Sequence, residues 1–341
     1  MDKFAAIIMK PNLKKILIYL LSASLAFILL WFSSRDVEWS EFVQKLGECN
    51  WGYVILSMAA GVVALWIRAL RWRRLLLPLD GSISRTTTFN GINIASISNF
   101  IFPYSGEFIR CGVVVRRSQP VDASDPHHKK ASYEKVLGTV VLERSWELLV
   151  MLIMMGIVVV GGVSGSGALF DRIWQALQSM MGGHAWIVIA GAFILLVGGA
   201  YLLWRLRDSN AFCRKVWSIF YNIGQGFTTC LRMDRKWLFF AYTMLIWLMY
   251  WLMAASTIWA VPFLGHLNLI DALFISLVGS LGFMLPLPGG MGGFHGLVTT
   301  ALFVVYGVED GFTYAVLSHA SQAVVQLVLG AGSYAYESFK K

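Results

Sequence analysis

Three ionisable residues, Glu143, Arg144 and Glu147, lie inside an otherwise apolar run, Val136–Val160. Glu143 and Glu147 are four apart and share one helix face, and Arg144 reaches Glu147 at i+3. A charge at the bilayer centre costs roughly 3 kcal/mol on insertion scales. Such groups must face the interior and pair with each other or with a polar ligand. Two readings are open, an internal ion-pair staple and a site for a polar ligand. Glu107 and Arg110 form a second acid–base set. The planar fork of arginine matches two phosphate oxygens, although Arg110 at a helix end can equally snorkel to the surface. His319, Gln322 and Gln326 fall at i, i+3 and i+7, a polar stripe on one apolar segment, and His295 follows a glycine-rich loop. Asn90, Asn93 and Ser96 make a further polar face. Either set can be a ligand surface or a helix–helix contact.

The elements that hold these residues are helices and two breaks. Leu285 to Gly296 reads LPLPGGMGGFHG and separates two short apolar runs, Ala272–Met284 and Leu297–Tyr306. A bilayer core takes about 20 helical residues to cross. Two half-length runs joined by Pro286, Pro288, Gly289 and Gly290 therefore read as a re-entrant hairpin, or as a tight loop between short helices buried in protein. A second break lies at Pro103–Gly106, between Phe89–Phe102 and a segment ending at Arg116 and Arg117. Full spans are expected at Ile16–Phe32, Trp51–Leu70, Val136–Val160, Ala185–Trp204, Leu238–Val261 and Tyr314–Tyr336. Lys3, Lys10, Lys14 and Lys15 precede the first span, Arg68, Arg71, Arg73 and Arg74 close the second, and Lys340 and Lys341 end the chain. By the positive-inside rule both termini are cytoplasmic, the first hairpin enters from the cytoplasm, and the second enters from outside. Ser33–Asn50 reads as an outer loop with an amphipathic interfacial tail, and residues 211–231 as an interfacial helix. Both breaks carry Pro-x-x-Gly, and opposed hairpins suggest an inverted repeat of the alternating-access kind.

Of 341 residues, 57% are hydrophobic and 14% charged, against about 25% charged in soluble domains. The expected fold class is an all-α polytopic membrane protein in a single membrane domain spanning 1–341. The net charge of +9 sits at the ends of apolar runs, which points to membrane lipids and away from nucleic acid. Cys49, Cys111, Cys213 and Cys230 show no CxxC pattern, which argues against a zinc or disulfide framework. Asp122, Asp125, His127 and His128 could be drawn as a metal site, but a polar loop with no second cluster is a poor one. Gly289–Gly293 lacks the following Lys-Ser/Thr of a nucleotide loop. No cofactor is expected.

Three motifs carry a resemblance. Pro103-x-x-Gly106-Glu107-Phe108-x-Arg110, Gly138-Thr139-Val140-Val141-x-Glu143-Arg144 and Pro286-x-Pro288-Gly289-Gly290-x-Gly292-x-Phe294-His295 resemble the lysylphosphatidylglycerol synthase transmembrane-region family. The resemblance runs from about the second span to the last. It implies a flippase-like membrane protein. In multidomain members the membrane part is associated with moving aminoacylated phospholipid between leaflets, and a separate soluble domain makes that lipid. This sequence carries no such domain, so synthase activity is not expected. Many relatives have Asp where Glu147 stands and Glu where Phe294-His295 stands.

The expected function is a lipid flippase or lipid-linked-substrate transporter in the inner membrane, not an enzyme. Its substrate-binding residues are expected to be Glu107, Arg110, Glu143, Arg144, Glu147, His295, His319 and Gln322. Its gate is expected at Pro103, Gly106, Pro286, Pro288, Gly289 and Gly290. Two other readings stay open. One is a membrane enzyme acting on a lipid head group with Glu143 or His319 as base. The other is an accessory subunit of an envelope lipid or glycan pathway.

Overall fold

The structure is a computed structural model. It describes residues 13–35, 37–118, 131–161, 171, 174–175, 177–179, 181–214, 216–217 and 235–339. The metal reading at Asp122, Asp125, His127 and His128, most of the interfacial helix expected at 211–231, and the lysines at 3, 10, 340 and 341 lie outside the described residues.

Apolar periods and caps produce a chain of helices: α1 (Leu13–Ser34), α2 (Trp39–Glu48), α3 (Trp51–Leu76), α4 (Arg85–Ile101), α5 (Ser105–Arg117), α6 (Tyr133–Gly161), α7 (Ala185–Leu206), α8 (Lys236–Ala260), α9 (Leu269–Phe283), α10 (Gly293–Tyr306) and α11 (Gly311–Phe339). No strand occurs among the described residues. Among the described residues five helical stretches are long and apolar enough to cross a membrane, namely α3, α7, α8, α11 and Pro288–Tyr306, or six if the bent pair α1 and α2 is one span. Pro288–Tyr306 is interrupted by left-handed backbone at Gly289 (φ 58°) and Gly292 (φ 79°). Its continuous part, α10, is about 21 Å long at 1.5 Å per residue and cannot reach across a 30 Å core. The protein is thus an all-α, multi-pass membrane protein.

The chain forms two compact units, Met1–Val140 with Trp237–Lys341, and Val141–Lys236. In the first unit α3 and α11 run side by side. Gln322 Nε2 donates to the Ser57 carbonyl at 3.0 Å and to Ser57 Oγ at 3.2 Å. Thr257 Oγ1 on α8 joins this knot at 3.3 Å. Around it pack Val54, Ile258, Ile275, Phe294, Leu302 and Tyr314, a core shared by α3, α8, α9, α10 and α11. α2 bends 83° from α1 and buries no residue, as an interfacial helix should. Lys45 on α2 pairs with Asp310 at 2.7 Å.

α4 packs against α5, and α9 against α10, each pair a helical hairpin. Asn268 caps α9 in a reciprocal capping box with Asp271, and Gly307 ends α10 in the left-handed conformation. Ser84 caps α4 by accepting from the Thr87 N–H. The hairpin of α4 and α5 has its open end at the C-terminal ends of α3 and α11, where Arg73 Nε donates to the Ile83 carbonyl and Arg117 meets Glu337. The hairpin of α9 and α10 begins after α8, whose Ala260 carbonyl accepts from the Asn50 N–H at the N-terminal end of α3. The two hairpins therefore enter the helix bundle from opposite ends.

In the second unit α7 leaves Trp186, Ile187, Phe193, Ile194 and Leu195 exposed. That apolar surface suits lipid and not water. Trp174 and Trp186 pack with ring centroids 4.5 Å apart.

Candidate functional site at the hairpin tips

The first tip turns at Phe102–Tyr104. Tyr104 adopts the left-handed conformation at φ 59°, a strained setting for a residue with a Cβ. The second leg starts with its own caps. Gly106 N–H donates to Asn99 Oδ1 at 2.8 Å, and Ser105 Oγ donates to the Ser98 carbonyl at 3.1 Å. Gly106 also sets how closely the legs approach, because a Cβ there would lie 2.1 Å from the Ala95 carbonyl oxygen.

The second tip is the Pro288–Gly290 turn. A Cβ on Gly289 would lie 2.4 Å from Phe100 Cδ1 of the first hairpin. Tyr104 Oη donates to the Met284 carbonyl across the same junction. The two tips, entering from opposite ends, therefore meet. α11 braces the meeting point, with His319 Nε2 3.0 Å from the Gly289 carbonyl. A carbonyl only accepts, so that ring nitrogen carries the proton. His295 lies 4.7 Å from His319 between ring centroids, with Phe283 stacked on His319 at 5.7 Å. His295 Nδ1 has no hydrogen-bond partner among the described residues.

The remaining sequence candidates fall into separate places. Glu107 and Arg110 pair at 2.6 Å, with the Arg110 side chain 1% exposed, and the guanidinium lies 4.6 Å from the Trp72 ring centroid. Trp72 Nε1 in turn donates to Thr139 Oγ1 at 3.0 Å. Arg110 does not snorkel. It is an interior ion pair beneath the first tip. In the second unit Arg144 donates to Glu147 at 2.7 Å, with the two side chains 43% and 19% exposed; Glu143 is fully buried. Gln322 belongs to the α3–α8–α11 knot. Asn93 Nδ2 donates to Ser333 Oγ at 3.1 Å and Asn90 Nδ2 to Glu337 Oε1 at 2.9 Å, so that polar face is an α4–α11 contact.

The two Pro-x-x-Gly sequences do different work. Gly106 is a leg-to-leg contact, whereas Gly289 is the turn itself. Sequence reasoning missed Tyr104, Phe100 and Glu337. Glu337 had a signal, an acid at the end of a span whose flank is basic. Arg71, counted among the arginines that mark the cytoplasmic end of the second span, is fully buried, 3.5 Å from Thr243 Oγ1 and 5.9 Å from the Phe239 ring centroid. Among the described residues no cluster of three or more His, Cys, Asp or Glu could hold a metal ion.

The profile described as "Lysylphosphatidylglycerol synthase TM region" matches residues 17–330. No curated protein matches the chain.

Proposed function

The chain belongs to the lysylphosphatidylglycerol synthase transmembrane-region family, and from that membership and the hairpin geometry we propose that it moves a phospholipid or lipid-linked polar head group between leaflets. The observation that carries the reading is the contact of two opposed tips, Tyr104 with Met284 and Phe100 against Gly289. Irregular backbone at membrane depth is stable only where protein or a watery cavity surrounds it. Broken helices meeting near mid-depth are the construction that transporters use for substrate sites. The tips form a two-sided gate, closed in this conformation, with His319 holding the second tip shut. The head group passes the tips while the acyl or prenyl chains stay in lipid. Within the second unit the partly exposed Arg144–Glu147 pair takes the charged part of the head group. The opposed hairpins form an inverted pair in function, one serving each leaflet.

The test is leaflet accessibility of labelled phospholipid in proteoliposomes. The protein exposes inner-leaflet label to an outside quencher faster than empty liposomes do; equal rates sink the reading. The arginine-rich end faces the cytoplasm of the inner membrane, and both termini lie there. Single cysteines at Thr86 and Glu309, in a background without the native cysteines, are then labelled from opposite sides of the membrane. Labelling of both from one side would break the opposed-hairpin topology.

A further inference from the structure

His295, in the first turn of α10, is 5% exposed, and its Nδ1 meets no hydrogen-bond partner among the described residues. Its ring centroid lies 4.7 Å from that of His319, 6.0 Å from Phe294 and 6.1 Å from Phe312. One turn further along α10, Thr299 Oγ1 is buried and equally without a partner among the described residues. Residues four apart share a helix face. Two unmatched polar atoms therefore stand in line on α10, leading from the tip toward the hairpin's open end. Burying a polar atom unmatched is costly, and in a native fold such an atom marks a place for water or an ion.

The ligand that fits a lone imidazole nitrogen among phenyl rings is a proton. Neutral imidazole keeps one lone-pair nitrogen, and histidine is the side chain that gains a proton near neutral pH. The titratable groups around it are few. α11 brings His319, and Tyr314, whose hydroxyl donates to the Ala254 carbonyl at 3.4 Å. The first tip brings Tyr104, which donates to the Met284 carbonyl. α9 carries Asp271, in the capping box at its far end, and α10 carries Tyr306 at its other end. α1 meets this tip at Ala26 and Ser33 and holds no titratable group between Tyr19 and Ser34; Arg35 follows, over the Phe32 ring. Beyond Phe312, Glu41 and Asp310 both pair with Lys45. His319 is the group that acts on His295 electrostatically.

An imidazolium has two N–H donors and a full charge, and the closed tip offers it phenyl rings in place of acceptors, a costly setting. Parted tips admit water. A proton on His295 therefore interacts better with the parted arrangement and shifts the protein toward it. The charge also arises beside the bond that keeps the tip shut, because His319 touches both His295 and the Gly289 carbonyl.

We propose that His295 is a proton-binding site whose occupation parts the second tip from the first, and so couples head-group movement to protons taken up along the Thr299 face of α10. The coupling rests on the lipid-moving reading; proton uptake and the loosening of the tip do not.

The test uses the full chain, labelled with 15N-histidine, in nanodiscs and proteoliposomes of phosphatidylcholine with phosphatidylglycerol. The His295 nitrogen signals, identified by their loss in His295→Gln, move to the protonated position between about pH 8 and about pH 5.5, either side of the ordinary histidine value of about 6.5. Over that interval amide exchange in residues 285–296, corrected for the pH dependence of the intrinsic rate, rises several-fold. Leaflet exchange of labelled phospholipid rises with it. In His295→Gln neither rate changes with pH. His319→Gln, whose amide can still donate to the Gly289 carbonyl, keeps a pH response because His295 remains. A His295 that stays neutral throughout overturns the proposal, as does an amide response that survives in His295→Gln. Leaflet exchange faster than in empty liposomes but flat with pH overturns the coupling and leaves the lipid-moving reading standing. Leaflet exchange equal to empty liposomes at every pH removes that reading, and the nitrogen signals and amide response still decide the proton site.

Discussion

Gly106→Ala lowers the thermal stability of the detergent-solubilised protein far more than any helix-propensity change can raise it. The added Cβ would stand 2.1 Å from the Ala95 carbonyl oxygen, 2.6 Å from its carbon and 2.7 Å from its Cα. All three are backbone atoms, so no side chain can swing aside and the two legs must part. Overpacking of this kind costs about 1–3 kcal/mol and occasionally more, and backbone contacts put this site at the upper end. Parting the legs also moves the Gly106–Asn99 cap and the Tyr104 turn above it. Gly332→Ala is the matched control. It lies in α11 with nothing within 4 Å of the added Cβ, so it gains about 0.5–1 kcal/mol from the lower backbone entropy of alanine. Thermal unfolding followed by intrinsic fluorescence separates the two. Equal behaviour of the two variants would mean that the hairpin legs are not packed as described.

Arg110→Met is the second large effect, and its partner mutation gives it meaning. Removing one member of a buried ion pair strands the other charge, at about 3–5 kcal/mol. Here Glu107 loses its 2.6 Å partner, and the guanidinium's contact with Trp72 is lost as well. Glu107→Gln combined with Arg110→Met removes both charges and recovers most of the stability, because a neutral pair of similar volume carries no such penalty. The double variant therefore separates two roles. If the pair is a staple, the double variant folds and moves lipid. If Arg110 serves the head group, the double variant folds but lipid movement falls. A single Arg110→Met variant as stable as the parent protein would contradict the ion-pair account.

The helices and both breaks were legible because each is written locally. Apolar runs of two lengths separate spans from half-spans, and Pro and Gly mark the turns between them. Val136–Val160 lies within α6 at Tyr133–Gly161, and Phe89–Phe102 overlaps α4 at Arg85–Ile101. The partners of the polar residues were not legible. Gln322 looked like part of a polar stripe facing a ligand, yet it is spent on Ser57, 265 residues away. Asn90 and Asn93 are matched to Glu337 and Ser333 across 247 and 240 residues. Contacts at such separations follow from how helices pack, and periodicity within one helix does not carry them. Arg71 is a similar case, since an arginine in a basic cluster at a span end gives no sign that α8 covers it. The tip contact had half a signal. Glycine at 289 marks a turn, but nothing in the sequence says that Phe100 is what fills the space a side chain would need.

If the protein moves lipid as proposed, the two tips must part for a head group to pass, and a cross-link between them tests it. A Cβ on Gly289 lies 3.2 Å from Phe100 Cγ, which brings cysteines at the two positions within the roughly 3.5–4.5 Å between Cβ atoms that a disulfide requires. The left-handed backbone at 289 costs a side chain about 1–2 kcal/mol, which the fold can carry. Phe100→Cys with Gly289→Cys, in a background without the native cysteines, is reconstituted and assayed for leaflet exchange of labelled phospholipid. Oxidation is predicted to reduce exchange to the level of empty liposomes, and reduction to restore it. Exchange that runs equally fast with the tips cross-linked would contradict the gate.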